Sequence, residues 1–253
     1  MATLIPNRSR VVWQEDDVTP PAGLRPNDAY DLALFHEMGR PGRGVLIVKS
    51  VLQLQFKDGT SVRPETKGQT LRWAEAEKRS FASDFRAAVL DVWNDKFRIT
   101  TASTVPAVTD IGVQFEVETV IDGWTLADHW ELAVEKVDQF SQSWVNDWTG
   151  NCSLDSGDLT PVTKSAGRTQ RGAVHEFGHM LGLRDEYNGA NSGNTNWQTD
   201  LDSIMHSGEV VRDRHYAMFA DWITGKFGHV AHLAGERIDF KVSGRVDLSA
   251  ARL

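Results

Sequence analysis

The sequence predicts an α+β domain, and the order of its apolar patterns carries this prediction. Segments rich in alternating or continuous β-branched residues, typical of strands, lie at 44–56, 113–121 and 129–137. Between the first two segments, apolar residues recur at steps of four, three and four, the spacing of one helix face: Phe81, Phe85, Ala88 and Val92. A chain of 253 residues, 40% of them hydrophobic, is long enough to bury one large core.

Turn residues separate these elements. Residues 57–59, Lys-Asp-Gly, end the first strand, and Asp-Gly at 122–123 favours a turn between the second and third strands. The helix is predicted to run from about residue 71 to about residue 95. Its Trp73 and Trp93 are expected in the core rather than on a ligand-binding face.

The C-terminal part predicts one further helix and one further strand. Apolar residues lie on one side of a helix over 212–227, which we expect to end at Gly228, and a strand is predicted within 237–248. The preceding segment 188–202 is crowded with Asn, Gly, Thr and Asp. Such oxygen-rich segments are compatible with a structural calcium ion, but the spacing matches no EF-hand, so a solvated loop is the preferred interpretation.

The first forty residues differ in composition from the rest. They hold four of the eight prolines and show no sustained apolar period; these are Pro6, Pro20, Pro21 and Pro26. We therefore expect an extended N-terminal arm over 1–40, a candidate docking or targeting segment, followed by one domain over 41–253.

Charge and hydropathy exclude several functions. The formal net charge of −8 provides no basic surface for nucleic acid, and no segment approaches the roughly 20 apolar residues of a membrane span. Because the first residues lack the apolar core of a signal peptide, we expect a protein that is cytoplasmic as synthesised, or exported by a leaderless or injection-type route.

The most informative segment is His175-Glu176-Phe177-Gly178-His179. Histidines at i and i+4 place two imidazoles on one helical face, one turn apart, so that both can bind one metal ion. A catalytic zinc ion takes three protein ligands and keeps a fourth position for a water whose pKa it lowers to about 7. We expect His175 and His179 as two ligands, and Glu176 as the general base that takes the water's proton.

The third ligand must come from beyond the helix. Gly182 can adopt a positive φ, end the helix and reverse the chain. Three residues later, Asp185 is placed to return to the metal, and a carboxylate is an acceptable zinc ligand. The neighbouring Glu186 would point elsewhere, so Asp185 is preferred while Glu186 stays an alternative.

Together with the downstream run Ser203-Ile204-Met205-His206-Ser207-Gly208, this pattern resembles the metzincin zinc metallopeptidases. Their signature is H-E-x-x-H-x-x-G-x-x-(H/D) followed by a Met-turn, here with Met205 as the apolar base beneath the zinc. The resemblance implies a zinc-dependent endopeptidase acting on protein or peptide substrates. It also implies a twisted mixed sheet and the zinc helix above a cleft, over about 41–182, and a smaller half with the Met-turn and C-terminal helix below, over about 183–253.

Two departures from the commonest metzincin pattern affect the chemistry. Asp185 stands where most members have a third histidine, a substitution shared with snapalysin-like enzymes. Ser207 stands where astacin-like members carry a tyrosine that contacts the zinc or the developing oxyanion. The sequence offers four candidates for the missing transition-state donor, with Tyr187 and Tyr216 foremost: Tyr187, Tyr216, His206 and His215.

Two alternatives remain beside the endopeptidase hypothesis. One is a catalytically silent interaction or cargo protein on a metzincin-like scaffold, and the other is a zinc amidohydrolase acting on a non-protein amide. For the endopeptidase we expect an extended substrate to pair with an edge strand within 129–137, because main-chain hydrogen bonds align a peptide without demanding its sequence.

Overall fold

A computed structural model describes residues 9–20, 28–125, 128–164, 167–187 and 195–245 of the protein. The helices are α1 (Glu75–Trp93), α2 (Gly172–Met180) and α3 (Ala217–Ala234), with short 3-10 turns at Thr195–Trp197 and Asp213–Tyr216. The strands are β1 (Ser9–Val18), β2 (Tyr30–Glu37), β3 (Gly42–Lys57), β4 (Gly59–Thr60), β5 (Thr70–Leu71), β6 (Phe97–Thr100), β7 (Val108–Ile121), β8 (Trp130–Glu135), β9 (Trp144–Asn146), β10 (Asn151–Asp155), β11 (Val162–Thr163), β12 (Thr169–Gln170) and β13 (Lys241–Arg245).

A nine-stranded mixed sheet dominates the described part of the chain. Its main path runs β13, β6, β7, β3, β8, β10, β9, and β2 joins β3 with β1 outside it. The three strands β7, β3 and β8 are parallel, as are β8 and β10, whereas the other neighbours are antiparallel. Together with the helices, this sheet confirms the prediction of an α+β fold.

The predicted strands and the first helix are present, but the link between β7 and β8 is not a hairpin. Both strands run parallel to β3, β7 along one side of it and β8 along the end of the other, so they pair with β3 and not with each other. The chain bends at Asp122, which has a positive φ of 45°, but this bend does not form the predicted turn between neighbouring strands. His129, just before β8, is buried, and its Nδ1 accepts a hydrogen bond from the Val51 amide at 2.9 Å.

The prediction of an arm over residues 1–40 is wrong for the residues that the structure describes. β1 pairs with β2, β2 pairs with β3, and alternate β2 residues are buried: Tyr30, Leu32 and Leu34. Glu15 on β1 accepts a hydrogen bond from Trp222 Nε1 on α3 at 2.7 Å. The clustered prolines of this part of the sequence concealed the two-residue alternation within β2. Residues 1–8 and 21–27 lie outside the described residues.

An aromatic cluster joins the sheet to all three helices. Trp93 at the end of α1 is fully buried, as predicted, and its indole N–H donates to the Val174 carbonyl of α2 at 2.9 Å. Its ring lies 6.3 Å from Phe115 on β7 and 6.2 Å from Phe177 on α2. The ring of Phe115 in turn packs against the rings of Tyr216 and Phe219, with a centroid distance of 6.0 Å in each pair. These edge contacts connect the part before residue 182 to the part after it.

The C-terminal helix is longer than predicted. α3 continues past Gly228 to Ala234, and the chain turns at Gly235, which has a φ of +69°. The predicted last strand is present as β13, paired with β6. No helix in the described part of the chain is both long and apolar enough to cross a membrane.

Because α2 packs closely on Met205, we expect a methyl group added at Gly178 to destabilise the protein. A Cβ at Gly178 would lie 2.3 Å from Met205 Sδ and 3.0 Å from Trp93. We expect Gly178→Ala to lower the free energy of unfolding by about 1–3 kcal/mol, the usual cost of overpacking a core, measured by urea unfolding.

Gly225→Ala on α3 is the matched control, because nothing lies within 4 Å of its added Cβ. Alanine in an open helical position should stabilise by about 0.5–1 kcal/mol. A Gly178→Ala protein as stable as the wild type would contradict the close packing of α2 on Met205.

Candidate metal centre

Helix α2 presents the two histidines of the motif as predicted. His175 and His179 lie one turn apart, with ring centroids 4.8 Å from each other and nearly perpendicular planes. The helix ends at Met180, and Gly182 follows with a φ of +94°, a conformation that favours glycine. The chain therefore turns back directly after the second histidine.

This reversal brings Asp185, and not Glu186, to the histidines. Asp185 Oδ1 lies 3.3 Å from His175 Nε2 and 3.2 Å from His179 Nε2. Ligand atoms bound to a tetrahedral ion at about 2.0 Å stand about 3.3 Å apart, so these spacings suit a shared metal ion. The three residues form a group that could hold one.

Hydrogen bonds on the far side of each ring fix the histidine tautomers. His175 Nδ1 lies 2.7 Å from the Ile204 carbonyl oxygen, and His179 Nδ1 lies 2.8 Å from that of Leu183. A carbonyl oxygen only accepts, so each Nδ1 carries the proton and donates it. Both neutral rings then direct the lone pair of Nε2 at Asp185, which is the arrangement of metal-binding histidines.

The Asp185 carboxylate adds an acceptor oxygen to the two acceptor nitrogens of the imidazoles, and none of these three groups has a proton to donate to the others. Its Oδ1 is buried and has no hydrogen-bond partner among the described residues. Burial raises the pKa of this carboxyl, whereas imidazoles that are protonated and donate to it would hold that pKa well below its usual range. A buried carboxylate between two imidazole lone pairs needs a cation to neutralise it, so the residues present fit a metal ion.

Glu176 lies beside these three candidate ligands without joining their group. It is buried, at 6% exposure, and lines the same cleft as the two histidines. Burial raises the pKa of its carboxyl, while the positive charge of protonated His175 or His179 would lower it. A carboxyl whose pKa is shifted toward neutrality can take up and release a proton near neutral pH.

The run around Met205 packs beneath α2, in the position expected from the sequence. Met205 is fully buried against Gly178. Gln170, just before α2, donates through its amide nitrogen to the carbonyls of Ile204 and Gly208, each at 2.8 Å. The Ile204 carbonyl that receives this bond also receives His175 Nδ1–H. Sequence reasoning missed Gln170, because a single polar residue before a helix carries no signal of burial.

The cleft extends to both sides of the three candidate ligands. A cavity of about 180 Å³ lies toward β9 and Leu183, and one of about 470 Å³ lies toward β12 and Ser207. Gln142, Ser143, Glu176 and Tyr187 border both cavities. Part of the segment before α2, from Phe140 to Asp147, therefore lines one wall of the cleft.

The edge strand at this cleft is β9, not the predicted segment 129–137. β8 lies inside the sheet between β3 and β10, whereas β9 is the last strand on that side among the described residues. Trp144 and Val145 of β9 line the smaller cavity. The prediction failed because β8 and β2 share one side of β3, and β10 covers the other edge of β8.

The four candidate donors differ in whether they border the cleft. Tyr187 lines both cavities, and its ring lies 5.9 Å from that of His206, which borders the larger one. Tyr216 is fully buried, and its hydroxyl donates to the Trp93 carbonyl, so it does not face the cleft. His215 is buried between the Arg212 amide and Glu186. Tyr216 and His215 are therefore excluded as donors.

A second group of potential ligands consists of Asp17, Asp31 and His129. His129 Nδ1 accepts the Val51 amide proton, so the neutral ring carries its proton on Nε2 and donates it to Asp31 at 3.2 Å. That nitrogen has no lone pair for a metal. We interpret this group as a hydrogen-bonded pair with Asp17 beside it.

The oxygen-rich segment 188–202 provides no calcium site in its described part, residues 195–202. Asp200 accepts two hydrogen bonds from the Arg212 guanidinium and one from that of Arg214. A carboxylate held by two arginines is not free to bind calcium. Residues 188–194 lie outside the described residues.

Comparison of the chain with models of protein families, with curated proteins and with solved structures gives no match.

Asp158 links α2 to the cleft wall and is the most deeply buried carboxyl near Glu176. Its Oδ2 accepts from Ser143 Oγ and from the Asp155 amide, each at 2.6 Å, while Oδ1 has no partner among the described residues. Its carbonyl accepts from the Ala173 amide in the first turn of α2. Burial, with smaller contributions from Asp155 and Glu176, raises the pKa of Asp158 to about 6.

This raised pKa predicts a pH dependence of stability. Between pH 4 and 6 the folded protein keeps the Asp158 proton and the unfolded chain loses it, so stability falls as pH rises. Relative to Asp158→Asn, the wild type should lose up to about 3 kcal/mol over this range, measured by urea unfolding at each pH.

Asp84→Asn, which removes a carboxylate from the exposed face of α1, controls for general charge effects. A difference between wild type and Asp158→Asn that stays constant from pH 4 to 7 would contradict a raised pKa at Asp158.

Proposed function

We propose that the protein is a zinc-dependent endopeptidase with a metzincin-like catalytic domain. The observation that carries this proposal is the convergence of two imidazole lone pairs and one buried carboxylate oxygen, from His175, His179 and Asp185, on one point in a cleft. Three N and O ligands with one open side are typical of catalytic rather than structural zinc. When bound, zinc would polarise the scissile carbonyl and make a water molecule acidic enough to ionise near neutral pH.

Glu176 performs the proton transfers in this proposal. Its carboxylate takes a proton from the attacking water and delivers it to the nitrogen of the leaving amine, which departs as the C–N bond breaks. Burial supports this role, because it raises the pKa of the carboxyl and so allows the proton to be held between the two steps. A purely structural metal site would gain nothing from this carboxylate.

The shape of the cleft supports a peptide as the substrate. β9 offers an unpaired edge, among the described strands, directly at the smaller cavity. An extended chain added to this edge would receive main-chain hydrogen bonds and run past the metal ligands toward the larger cavity. An extended polymer explains a cleft on both sides of the ligands better than a small non-protein amide does.

Tyr187 is the proposed transition-state donor. It takes over the task that a tyrosine at the position of Ser207 performs in astacin-like enzymes. Of the two tyrosines expected from the sequence, it alone borders the cleft. Burial, followed by the nearby Asp185 carboxylate, raises the pKa of Tyr187, so its phenol stays protonated and able to donate to a developing oxyanion.

The central test of the proposal is Glu176→Gln. We expect one zinc per chain in both proteins, and cleavage of unfolded casein reduced by about 10²–10⁴-fold in the variant, the usual contribution of a general base. Glu118→Gln, at a solvent-exposed site on β7 that does not line either cavity, makes the same chemical change and should cleave as the wild type does. Cleavage at the wild-type rate by a zinc-loaded Glu176→Gln protein would contradict the assignment of Glu176 as the general base.

Tyr187→Phe separates donor chemistry from metal binding. Loss of one oxyanion donor should lower kcat by about 10²-fold with little change in KM or in zinc affinity, measured with a fluorogenic peptide. Tyr216→Phe is the control: it should lower stability by about 1–3 kcal/mol through an unpaired Trp93 carbonyl, but leave kcat per folded molecule unchanged. Unchanged kcat in Tyr187→Phe would remove Tyr187 from the mechanism.

A further inference from the structure

Glu186, the neighbour of the candidate ligand Asp185, is held by Arg214, a partly buried arginine. Glu186 is 5% exposed, and its two oxygens accept from Arg214 Nε at 2.6 Å and Arg214 Nη2 at 2.7 Å. His215 Nδ1 accepts from the Arg212 amide, so its Nε2 carries a proton that it donates to Glu186 at 3.2 Å. The carboxylate is therefore fixed by a bidentate pair and a third donor.

Arg214 is itself fixed on two further sides. Its Nη2 donates to Asp200 Oδ2 at 2.6 Å, and Asp200 also receives Arg212 Nε and Nη2 at 2.9 and 2.6 Å. The Arg214 guanidinium lies over the Trp197 ring, 4.4 Å from its centroid. An arginine with these contacts loses little freedom when it binds Glu186.

The backbone transmits this restraint to Asp185. The Glu186 amide donates to the Met205 carbonyl at 2.9 Å, and the Leu183 carbonyl receives the His179 Nδ1 proton at 2.8 Å. Between these two anchors stand only Arg184 and Asp185, neither of them in a helix or a longer strand. The position of the Asp185 carboxylate is thus set from both sides, by His179 and by Glu186.

We propose that Arg214 and Asp200 are positioning residues that hold Asp185 at the metal by clamping Glu186. The proposal rests on the zinc site proposed above and deepens it. Groups that orient metal ligands typically change metal affinity by about 10–100-fold when they are altered. Arg214→Lys keeps the charge but loses the fork that matches a carboxylate.

The test is a double-mutant cycle on zinc affinity, measured by chelator competition with wild type, Arg214→Lys, Asp185→Asn and the double variant. Arg214→Lys should weaken zinc binding by about 10–100-fold and change the visible spectrum of the cobalt-substituted protein. In the Asp185→Asn background the same change should cost at most about twofold, because its effect passes through Asp185. Arg168→Lys, which alters the exposed pair with Asp202, is the matched control and should leave zinc affinity unchanged.

Asp200→Asn provides a second variant if Arg214→Lys does not fold. It removes one partner of Arg214 and should weaken zinc binding only in the presence of Asp185. Zinc affinity within twofold of wild type in the folded variants, or an equal loss with and without Asp185, overturns the positioning role. A wild type that binds zinc and cleaves casein while this coupling is absent contradicts only this inference. A wild type that binds no zinc contradicts the proposed function and this inference together.

Discussion

The charge balance among His175, His179 and Asp185 is the constraint on which the rest of the site depends. Each imidazole gives its Nδ1 proton to a backbone carbonyl, so two lone pairs and a carboxylate oxygen face one another at 3.2–3.3 Å. Without a cation, this arrangement would place a buried negative charge against two acceptors. The surrounding hydrogen bonds and packing hold the three side chains in this arrangement.

The carbonyls that orient the histidines belong to segments fixed by different parts of the fold. Ile204 lies in the run around Met205, which packs against Gly178 and is tied to Gln170. Leu183 follows the glycine that ends α2. The aromatic cluster around Trp93 and Phe115 packs against Phe177 of α2 and so holds this helix on the sheet. A buried core therefore fixes the orientation of the two rings, and the ion-pair network at Arg214 secures the carboxylate.

Local sequence was sufficient for the parts of the site whose geometry is local. The spacing of His175 and His179 requires only a helix, and the chain reversal toward Asp185 begins at Gly182, a residue that readily adopts positive φ. Tyr187 and Tyr216 could not be distinguished in the same way, because the partner of the Tyr216 hydroxyl is Trp93, 123 positions away in sequence. The same holds for the sheet edge, since the position of β8 depends on how β2 and β10 pair around it. Asp200, Arg212 and Arg214 appear in the sequence as ordinary charged residues, and only the fold gathers them behind Glu186.

The most direct measurement is X-ray absorption spectroscopy at the zinc edge on the purified protein loaded with one equivalent of zinc. We expect a first shell of nitrogen and oxygen atoms only, at about 2.0–2.1 Å, with the outer-shell scattering of two imidazoles. In Asp185→Asn that shell should change while both imidazoles remain. A spectrum that contains one imidazole, or a first shell that is the same in wild type and Asp185→Asn, would contradict a metal centre built from His175, His179 and Asp185.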